Sequence, residues 1–393
     1  MTGARFDQII DRTGTHSYKW DDVGEVFGSN ELLPMWVADM DFQSPDSVIE
    51  AVVERAQHGV YGYAGDFDGY FNSVKDWFNK RFNCKIEKDW IKTTPGVVPA
   101  LNMAVRTYTN PGDKVIIQSP VYPPFFNVVR NNGCHVINNE LIEEKGKYYI
   151  DFEDLDKKAS DSRAKILMLC SPHNPVGRVW SREELKKIGE ICQKNNLILI
   201  SDEIHGDLTF PGNNNIPYFK IMSELNFNNV ILCTSPAKTF NVAGLQTSSV
   251  IIPDQCLRSS FNNTLEANGF SKPNIFGLIA AESCYNYGED WLDELREYLY
   301  QNFLFIEDYL KNNIPALEVT KSQGTYLAWL DIRKTGKTTK EIQKLLVSQG
   351  KVALIPGTKF GPNGEGFLRL NFGCPQKQLH QGLDRIAKVI NSL

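Results

Sequence analysis

The chain has 393 residues, with 42 Lys and Arg against 47 Asp and Glu, which gives a formal net charge of −5. This length predicts two or three structural units, and the 42% hydrophobic content excludes wholesale disorder. The mildly acidic balance gives no electrostatic reason to expect nucleic acid or an anionic membrane as a partner, and no apolar run reaches the roughly 20 residues that span a bilayer.

The eight cysteines are widely spaced and include no Cys-x-x-Cys pair. This spacing predicts neither a zinc site nor a disulfide framework, and it is typical of a reducing compartment. The stretch that begins at Met1 lacks the apolar core of a signal peptide. We therefore expect a cytoplasmic protein without a metal site, and we interpret Cys170, which lies within an apolar run, as a small buried hydrophobe.

Short apolar runs alternate with helical patterns through the middle of the chain. A capping-box pattern predicts a helix that begins at Ser181, because this side chain and that of Glu184 can satisfy backbone N–H groups at the helix start. Near-continuous apolar runs indicate strands of a sheet covered on both faces, and they lie at 115–118, 166–170, 197–200 and 230–233. The strand–helix–strand order predicts an α/β domain with a mostly parallel sheet covered by helices.

The alternation of short apolar runs with helical patterns ends at about residue 290. The elements predicted there are a long amphipathic helix over 292–310, strands at 326–330 and 367–372, and a helix around 340–349. We interpret residues 46–287 as a large α/β domain. Residues 1–45, together with 288–393, are predicted to form a smaller α+β domain.

A polar side chain follows each of the four strands predicted for the large domain. These side chains are Tyr122, Asn174, Asp202 and Lys238. Ligands of open α/β sheets bind beyond the carboxyl ends of the strands, so we expect the four side chains to meet in one crevice. Residues 93–101 predict a turn that opens a helix, and the free N–H groups of such a helix N-terminus favour a phosphate.

A phosphate site, an amine that can form a Schiff base and a carboxylate that can pair with a ring nitrogen together indicate pyridoxal phosphate as the cofactor. Segments 171–177, 202–205 and 235–244 resemble the signature segments of fold-type-I pyridoxal-phosphate enzymes of the class I/II aminotransferase superfamily. The segments that resemble its cystathionine β-lyase and cystalysin branch lie at 33–42, 62–63, 120–122 and 202–205. The resemblance runs from about Trp20 to the C-terminus, and it implies an aspartate-aminotransferase-like fold.

The resemblance implies three catalytic residues. Lys238 is similar to the Schiff-base lysine, which also carries the proton of the substrate Cα atom. Asp202 matches the carboxylate that keeps the pyridine nitrogen protonated. Tyr122 matches the aromatic side chain that stacks on the cofactor ring.

The substrate contacts that the resemblance implies are Ala38, Asn174 and Arg369. Asn174 also resembles the amide that hydrogen-bonds the phenolic oxygen of the ring, and Arg369 resembles the arginine that holds the substrate α-carboxylate. An arginine within an apolar strand is costly to bury, which by itself favours a functional role.

The phosphate contacts that the resemblance implies are the backbone N–H groups of Gly96, Val97 and Val98 and the hydroxyl of Ser235. Gln246 stands where many aminotransferases carry a phosphate-binding arginine. We therefore expect the phosphate to depend mainly on backbone groups and neutral side chains.

Two further cofactor contacts follow from the resemblance. His205 stands where many aminotransferases of the superfamily have a tyrosine that contacts the phenolic oxygen. Tyr63 resembles the tyrosine that reaches the phosphate of the neighbouring subunit, with the nearby Tyr61 as the alternative. The resemblance thus implies a homodimer with shared active sites.

The activity that the resemblance implies is a pyridoxal-phosphate-dependent C–S β-lyase, which cleaves L-cystathionine or a related cysteine S-conjugate to a thiol, pyruvate and ammonia. An aminotransferase of the same fold is the alternative, because both reactions use every residue named above. A third hypothesis is a cofactor-bearing protein that binds a regulatory partner, since fold does not fix function. A complete site with Lys238 and Arg369 disfavours it. The expected partner is a small amino-acid substrate.

Overall fold

The computed structural model describes residues 5–270 and 272–393. Residues 1–4 lie outside the described residues. They belong to the N-terminal stretch that lacks a signal-peptide core and to the predicted small domain. Ser271, which falls within the predicted large domain, also lies outside the described residues. Within the two described ranges, every helix is too short or too polar to cross a membrane.

The strands, numbered in chain order, are β1 (Leu33–Pro34), β2 (Ile91–Thr94), β3 (Lys114–Ile117), β4 (His135–Asn138), β5 (Ile142–Glu144), β6 (Lys147–Tyr149), β7 (Ala164–Cys170), β8 (Ile198–Asp202), β9 (Val230–Thr234), β10 (Ser248–Ile251), β11 (Glu318–Val319), β12 (Leu327–Asp331), β13 (Val352–Ala353), β14 (Ile355–Pro356) and β15 (Phe367–Asn371).

The α-helices are α1 (Val23–Phe27), α2 (Asp46–Gln57), α3 (Asp68–Phe82), α4 (Val97–Tyr108), α5 (Pro124–Asn131), α6 (Phe152–Ala159), α7 (Arg182–Lys194), α8 (Tyr218–Leu225), α9 (Pro236–Thr239), α10 (Gln255–Ala267), α11 (Ile275–Tyr287), α12 (Glu289–Asn313), α13 (Thr339–Leu345) and α14 (Gln376–Ile390).

A seven-stranded sheet forms the centre of the fold, in the order β2-β10-β9-β8-β7-β3-β4. The five strands from β9 to β4 are mutually parallel, whereas β10 runs antiparallel to both of its neighbours. The predicted α/β class with a mostly parallel sheet is therefore confirmed. The antiparallel β10 was not predicted, because its four residues begin with two serines and give no continuous apolar run.

The strands read as continuous apolar runs because both faces of the sheet are covered. Alternate residues of one strand belong to opposite cores: Leu167 packs in one hydrophobic cluster and Met168 in the other. Helices α4, α5 and α10 cover one face, and α7, α8 and α11 lie in the core on the other. The predicted helix at Ser181 is confirmed as α7, and its capping box with Glu184 is present.

The C-terminal part contains a separate four-stranded antiparallel sheet, in the order β11-β12-β15-β14. The predicted long helix is α12, and the helix predicted to reach residue 349 ends as α13 at Leu345 and continues as one π-helical turn. β1 pairs in parallel with β13, so the N-terminal segment packs against the C-terminal part as expected. The division of the chain into these two domains, with its bounds, stays a prediction.

Candidate active site

The ends of three parallel strands position the central side chains of the site. The sheet register aligns Cys170 of β7, Asp202 of β8 and Cys233 of β9. Asp202 is the last residue of its strand, so the strand predicted over 197–200 begins one residue early and ends two residues early. Because these strands are parallel, the segments that follow them all emerge at one edge of the sheet.

A cavity of about 180 Å³ lies at this edge. It brings together most of the residues that the sequence predicts for the site: Ala38, Gly96, Val97, Val98, Tyr122, Asn174, Asp202, His205, Ser235 and Lys238. Arg369 adjoins this group, since its Nη1 atom donates a hydrogen bond of 3.3 Å to Oδ1 of Asn174. Tyr63 does not line the cavity and is 91% exposed.

One end of the cavity is built from the start of α4. Gly96 precedes this helix with φ +126°, a conformation that favours glycine, and it forms no side-chain cap in the described structure. The first N–H groups of α4 therefore remain available to an anion. Thr93 and Thr94 belong to β2 rather than to the predicted turn, which is confined to the two residues before α4.

Ser235 faces the same end of the cavity from the start of α9. Its hydroxyl donates to the carbonyl of Thr247 at 2.6 Å and accepts from the N–H of Ala237 at 3.1 Å. Gln246 and Thr247 also line the cavity. This end of the cavity thus presents backbone N–H groups and neutral polar side chains.

Lys238 and Asp202 are both perturbed by burial. Nζ of Lys238 donates to the carbonyl oxygen of Ala38 at 2.6 Å. Burial lowers the pKa of Lys238 to about 8, and the carboxylate of Asp39 opposes this shift. Burial also raises the pKa of Asp202 to about 7, against the opposing effects of the Ile204 N–H group and Lys238. The site therefore holds a reactive amine and a carboxylate that a cationic N–H partner would stabilise.

Arg369 lies almost completely buried on β15. Its Nη2 atom donates to the carbonyl of Trp36 at 2.8 Å, and its Nε atom has no hydrogen-bond partner among the described residues. Burial lowers the pKa of Arg369 to about 10, so the guanidinium remains charged at neutral pH. A buried charged group with an unpaired donor beside the cavity is suited to a carboxylate ligand.

His205 is buried and neutral. Burial, together with the charges of Lys238 and Arg369, lowers the pKa of His205 to about 3. Its Nδ1 atom has no partner within the described part of the chain, and its ring meets that of Tyr326 edge-on at 5.8 Å.

The chemistry of these groups fits pyridoxal phosphate. The uncapped start of α4 and Ser235 can hold a phosphate, and Lys238 can bond to an aldehyde. The buried carboxylate of Asp202 needs a partner such as a protonated ring nitrogen. By contrast, nowhere in residues 5–270 and 272–393 do three or more His, Cys, Asp or Glu side chains form a group that could hold a metal ion.

The sequence pattern missed several residues of the site. Tyr326 donates its hydroxyl to the carbonyl of Ala38 at 2.9 Å, but in the sequence it is the first residue of the strand predicted over 326–330, a position typical of a core residue. Cys170 is buried as expected, yet it also lines the cavity, and its Sγ atom accepts from the N–H of Asn174 at 3.4 Å. The remaining missed cavity residues are Pro99, Ile204, Ala237, Ala243 and Thr247. Small or apolar residues like these give no chemical signal in a sequence.

Tyr61 and Tyr63 differ clearly in their surroundings. The Tyr61 hydroxyl donates to the carbonyl of Ala56 at 2.7 Å, and its ring lies 5.6 Å from that of Phe276. The 91% exposed side chain of Tyr63 extends away from the protein surface. The Tyr61 hydroxyl is therefore already paired within its own chain, whereas the Tyr63 side chain is more exposed and makes no hydrogen bond within the described structure.

A larger cavity, of about 690 Å³, lies away from these groups and is lined by charged side chains. Its charges are paired with one another: Arg81 lies 2.8 Å from Asp293 and 3.3 Å from Glu289, and Arg296 lies 3.4 Å from Asp293. It is thus a solvated charge network, and the chemistry belongs to the smaller cavity at the sheet edge.

The topology and the groups at the sheet edge define an α/β enzyme of the aminotransferase type. The chain belongs to the aminotransferase class I and II family, whose model matches residues 30–386. This confirms the family resemblance drawn from the sequence.

Relatives match the chain over almost its full length. It is 44% identical to cystathionine beta-lyase PatB of Bacillus subtilis, with 98% of this chain and all of the relative covered. Cystalysin of Treponema denticola, whose crystal structure contains pyridoxal 5'-phosphate, is 37% identical with a TM-score of 0.95 over 98% of both chains. A pyridoxal phosphate-bound C–S lyase of Staphylococcus hominis is 33% identical with a TM-score of 0.92, over 98% of this chain and 97% of that one.

Proposed function

We propose that the chain is a pyridoxal-phosphate-dependent C–S β-lyase that cleaves L-cystathionine or a related cysteine S-conjugate to a thiol, pyruvate and ammonia. The observation that carries the proposal is the 44% identity, over the whole length, to a cystathionine beta-lyase. The cavity supports it independently, because an amine, a buried carboxylate and the uncapped start of α4 line it together.

When bound, pyridoxal phosphate supplies a carbonyl carbon that joins the substrate amine and a ring that accepts electrons from the substrate Cα atom. Lys238 would anchor the cofactor, and its amine, when free, would take the proton from the substrate Cα atom. Asp202 would hold a proton at the ring nitrogen, and Tyr122, which also lines the cavity, would pack against the ring. The buried position of Asp202 makes this pairing strong, since no water competes for the charge.

The substrate carboxylate is proposed to bind between Arg369 and Asn174. Their side chains already meet at 3.3 Å, and Arg369 keeps an unpaired N–H group. A carboxylate held at this point fixes the amino acid so that its Cα–H bond faces Lys238. With the Cα proton on Lys238, the electron pair left at Cα would form a Cα–Cβ double bond as the Cβ–S bond breaks and its electrons leave with the thiolate. The released aminoacrylate then reacts with water to give pyruvate and ammonia.

The products of L-cystathionine decide between the lyase and the aminotransferase. We expect pyruvate, ammonia and homocysteine in equal amounts, without any added 2-oxo acid. The physical reason is that a β-thiolate is a competent leaving group. Amino acids without such a group, supplied with 2-oxoglutarate, should show slow transamination at most. Turnover that strictly requires the oxo acid and releases no ammonia would instead assign an aminotransferase.

We also propose that the protein is a homodimer with shared active sites. Helix α2 and the segment after it expose a group of large apolar side chains: Ile49, Val53, Val60, Tyr61 and Tyr63. Exposed apolar surface of this kind marks a protein interface. In this arrangement Tyr63 of one subunit reaches the phosphate held by its partner.

Subunit exchange tests the shared site. Tyr63→Ala and Lys238→Ala homodimers should each be strongly impaired, and mixing them should restore up to about a quarter of the wild-type activity per site, since one of the two sites in a hybrid carries neither change. A Tyr61→Ala variant serves as the matched control and should not complement Lys238→Ala beyond its own activity. A fully active monomer at assay concentration would rule out the shared site.

A further inference from the structure

The carbonyl oxygen of Ala38 is a shared acceptor in the wall of the cavity. Nζ of Lys238 donates to it at 2.6 Å, and the hydroxyl of Tyr326 donates to it at 2.9 Å. A carbonyl oxygen has two lone pairs, so these two donors fill its capacity. Tyr326 is fully buried, which fixes the direction of its hydroxyl.

The segment that carries this carbonyl is held on both sides. Arg369 donates to the carbonyl of Trp36 at 2.8 Å, and Asn371 donates to the carbonyls of Val37 and Asp39, the latter at 2.6 Å. On the other side, Asn241 accepts from the N–H of Met40 at 3.0 Å and donates to its carbonyl at 2.9 Å. The Ala38 carbonyl is therefore a rigid point in the site.

Buried charges reinforce this attachment. Lys19 is 1% exposed and lies 2.7 Å from the carboxylate of Asp41, and Arg12 lies 2.8 Å from that of Asp39 and 2.6 Å from that of Asp41. Breaking a buried ion pair leaves an uncompensated charge, so the segment resists displacement.

We propose that Tyr326 is a positioning residue for Lys238: by holding the Ala38 carbonyl, it fixes the place where the lysine amine rests whenever the amine is not bonded to the cofactor. This inference rests on the proposed function, in which the amine is released by substrate and then acts as the base. A flexible lysine chain would otherwise lose its alignment with the Cα proton during that interval.

Tyr326 also affects which form of the amine is favoured. With one lone pair of Ala38 taken, the carbonyl accepts one hydrogen bond from Lys238, which a neutral amine can provide while its own lone pair stays free. Without the hydroxyl, the carbonyl oxygen is a stronger acceptor for Lys238. The ammonium form gains more from this than the neutral form, because a charged N–H group is the stronger donor. The charged groups that act on Lys238 are Asp39, Arg369 and Asp202, and the neighbouring His205 is neutral.

Tyr326→Phe tests the proposal, with Tyr218→Phe as the matched control. Tyr218 is also buried, and its hydroxyl likewise donates to a backbone carbonyl, that of Leu185 at 3.1 Å, away from the cavity. The first measurement is the rate at which cofactor-free protein takes up pyridoxal 5'-phosphate as a function of pH, followed by the visible absorption band. This rate increases with the neutral fraction of Lys238, with a midpoint near its pKa of about 8 in the wild type.

The expected result is an upward shift of this midpoint by about 0.5 pH units in Tyr326→Phe and no shift in Tyr218→Phe. The second measurement is turnover of L-cystathionine. In Tyr326→Phe we expect kcat to fall about tenfold, with KM within about twofold of wild type. The acidic limb of its kcat profile should move upward with the uptake midpoint.

Equal uptake midpoints in wild type and Tyr326→Phe would overturn the inference. The inference would also fail if Tyr326→Phe lost activity only in proportion to its loss of folded protein, to the same extent as Tyr218→Phe. If the wild type released no pyruvate from L-cystathionine, the proposed function would fail, while the uptake measurement would still decide the role of Tyr326.

Discussion

Replacing Lys238 by alanine is expected to reduce β-elimination by at least about 10,000-fold, because the change removes both the anchor of the cofactor and the base at Cα. Lys238 lines the cavity, and its Nζ atom lies 2.6 Å from the carbonyl oxygen of Ala38. Pyruvate release measures the loss. The visible absorption band and the borohydride-reducible lysine adduct should disappear with it.

Lys220→Ala is the matched control for this variant. Lys220 also donates from Nζ to a backbone carbonyl, that of Phe82 at 3.2 Å, but it lies outside the cavity. This variant should keep the visible band and near-normal turnover. A Lys238→Ala protein that retains a reducible lysine adduct and substantial activity would show that another amine carries the cofactor.

Asp202→Asn is expected to lower kcat by roughly 1,000-fold, because the neutral amide no longer keeps the ring nitrogen protonated. The change keeps the shape of the side chain and its place at the end of β8. Pre-steady-state loss of the Cα proton, followed with Cα-deuterated substrate, should become the slow step. Turnover within about tenfold of wild type would argue against the assigned role.

Stability distinguishes a loss of chemistry from a loss of fold in this variant. Since burial raises the pKa of Asp202 to about 7, the native cofactor-free protein retains a proton there between about pH 4 and 7, where the unfolded chain has lost it. The contribution of this group to stability therefore falls as pH rises through that range. Cofactor-free Asp202→Asn should melt at or above the wild-type temperature at pH 8, with a smaller difference near pH 4.

Glu203→Gln provides the matched control. Glu203 is the neighbouring buried carboxylate, and burial raises its pKa to about 7 as well, but its oxygens accept from Ser201, Asn215 and the N–H of Tyr218 rather than facing the cavity. Loss of this charge should leave kcat per loaded site within about tenfold of wild type. An equal loss in both variants would indicate a general effect of charge at the strand end.

The fold class, several strands and a helix could be predicted from the sequence, because each of them has a local sequence pattern. Continuous apolar runs predicted the parallel strands, since both sheet faces are covered, and the capping box at Ser181 predicted α7. Lys238 and Asp202 were predicted to meet because both follow parallel strands, whose ends lie at one edge of the sheet, and both line the same cavity. Arg369 stood out because a charge is costly to bury in an apolar strand.

Other contacts of the site could be seen only in the tertiary structure, because they join segments that are distant in the sequence. The carbonyl of Ala38 accepts hydrogen bonds from Lys238, which is 200 residues away along the chain, and from Tyr326, which is 288 residues away. Neither contact produces a local sequence pattern. The antiparallel direction of β10 and the different exposure of Tyr61 and Tyr63 likewise have no local sequence pattern. A sequence pattern reports whether a residue is buried and which chemistry it carries, whereas its partners depend on how distant segments pack.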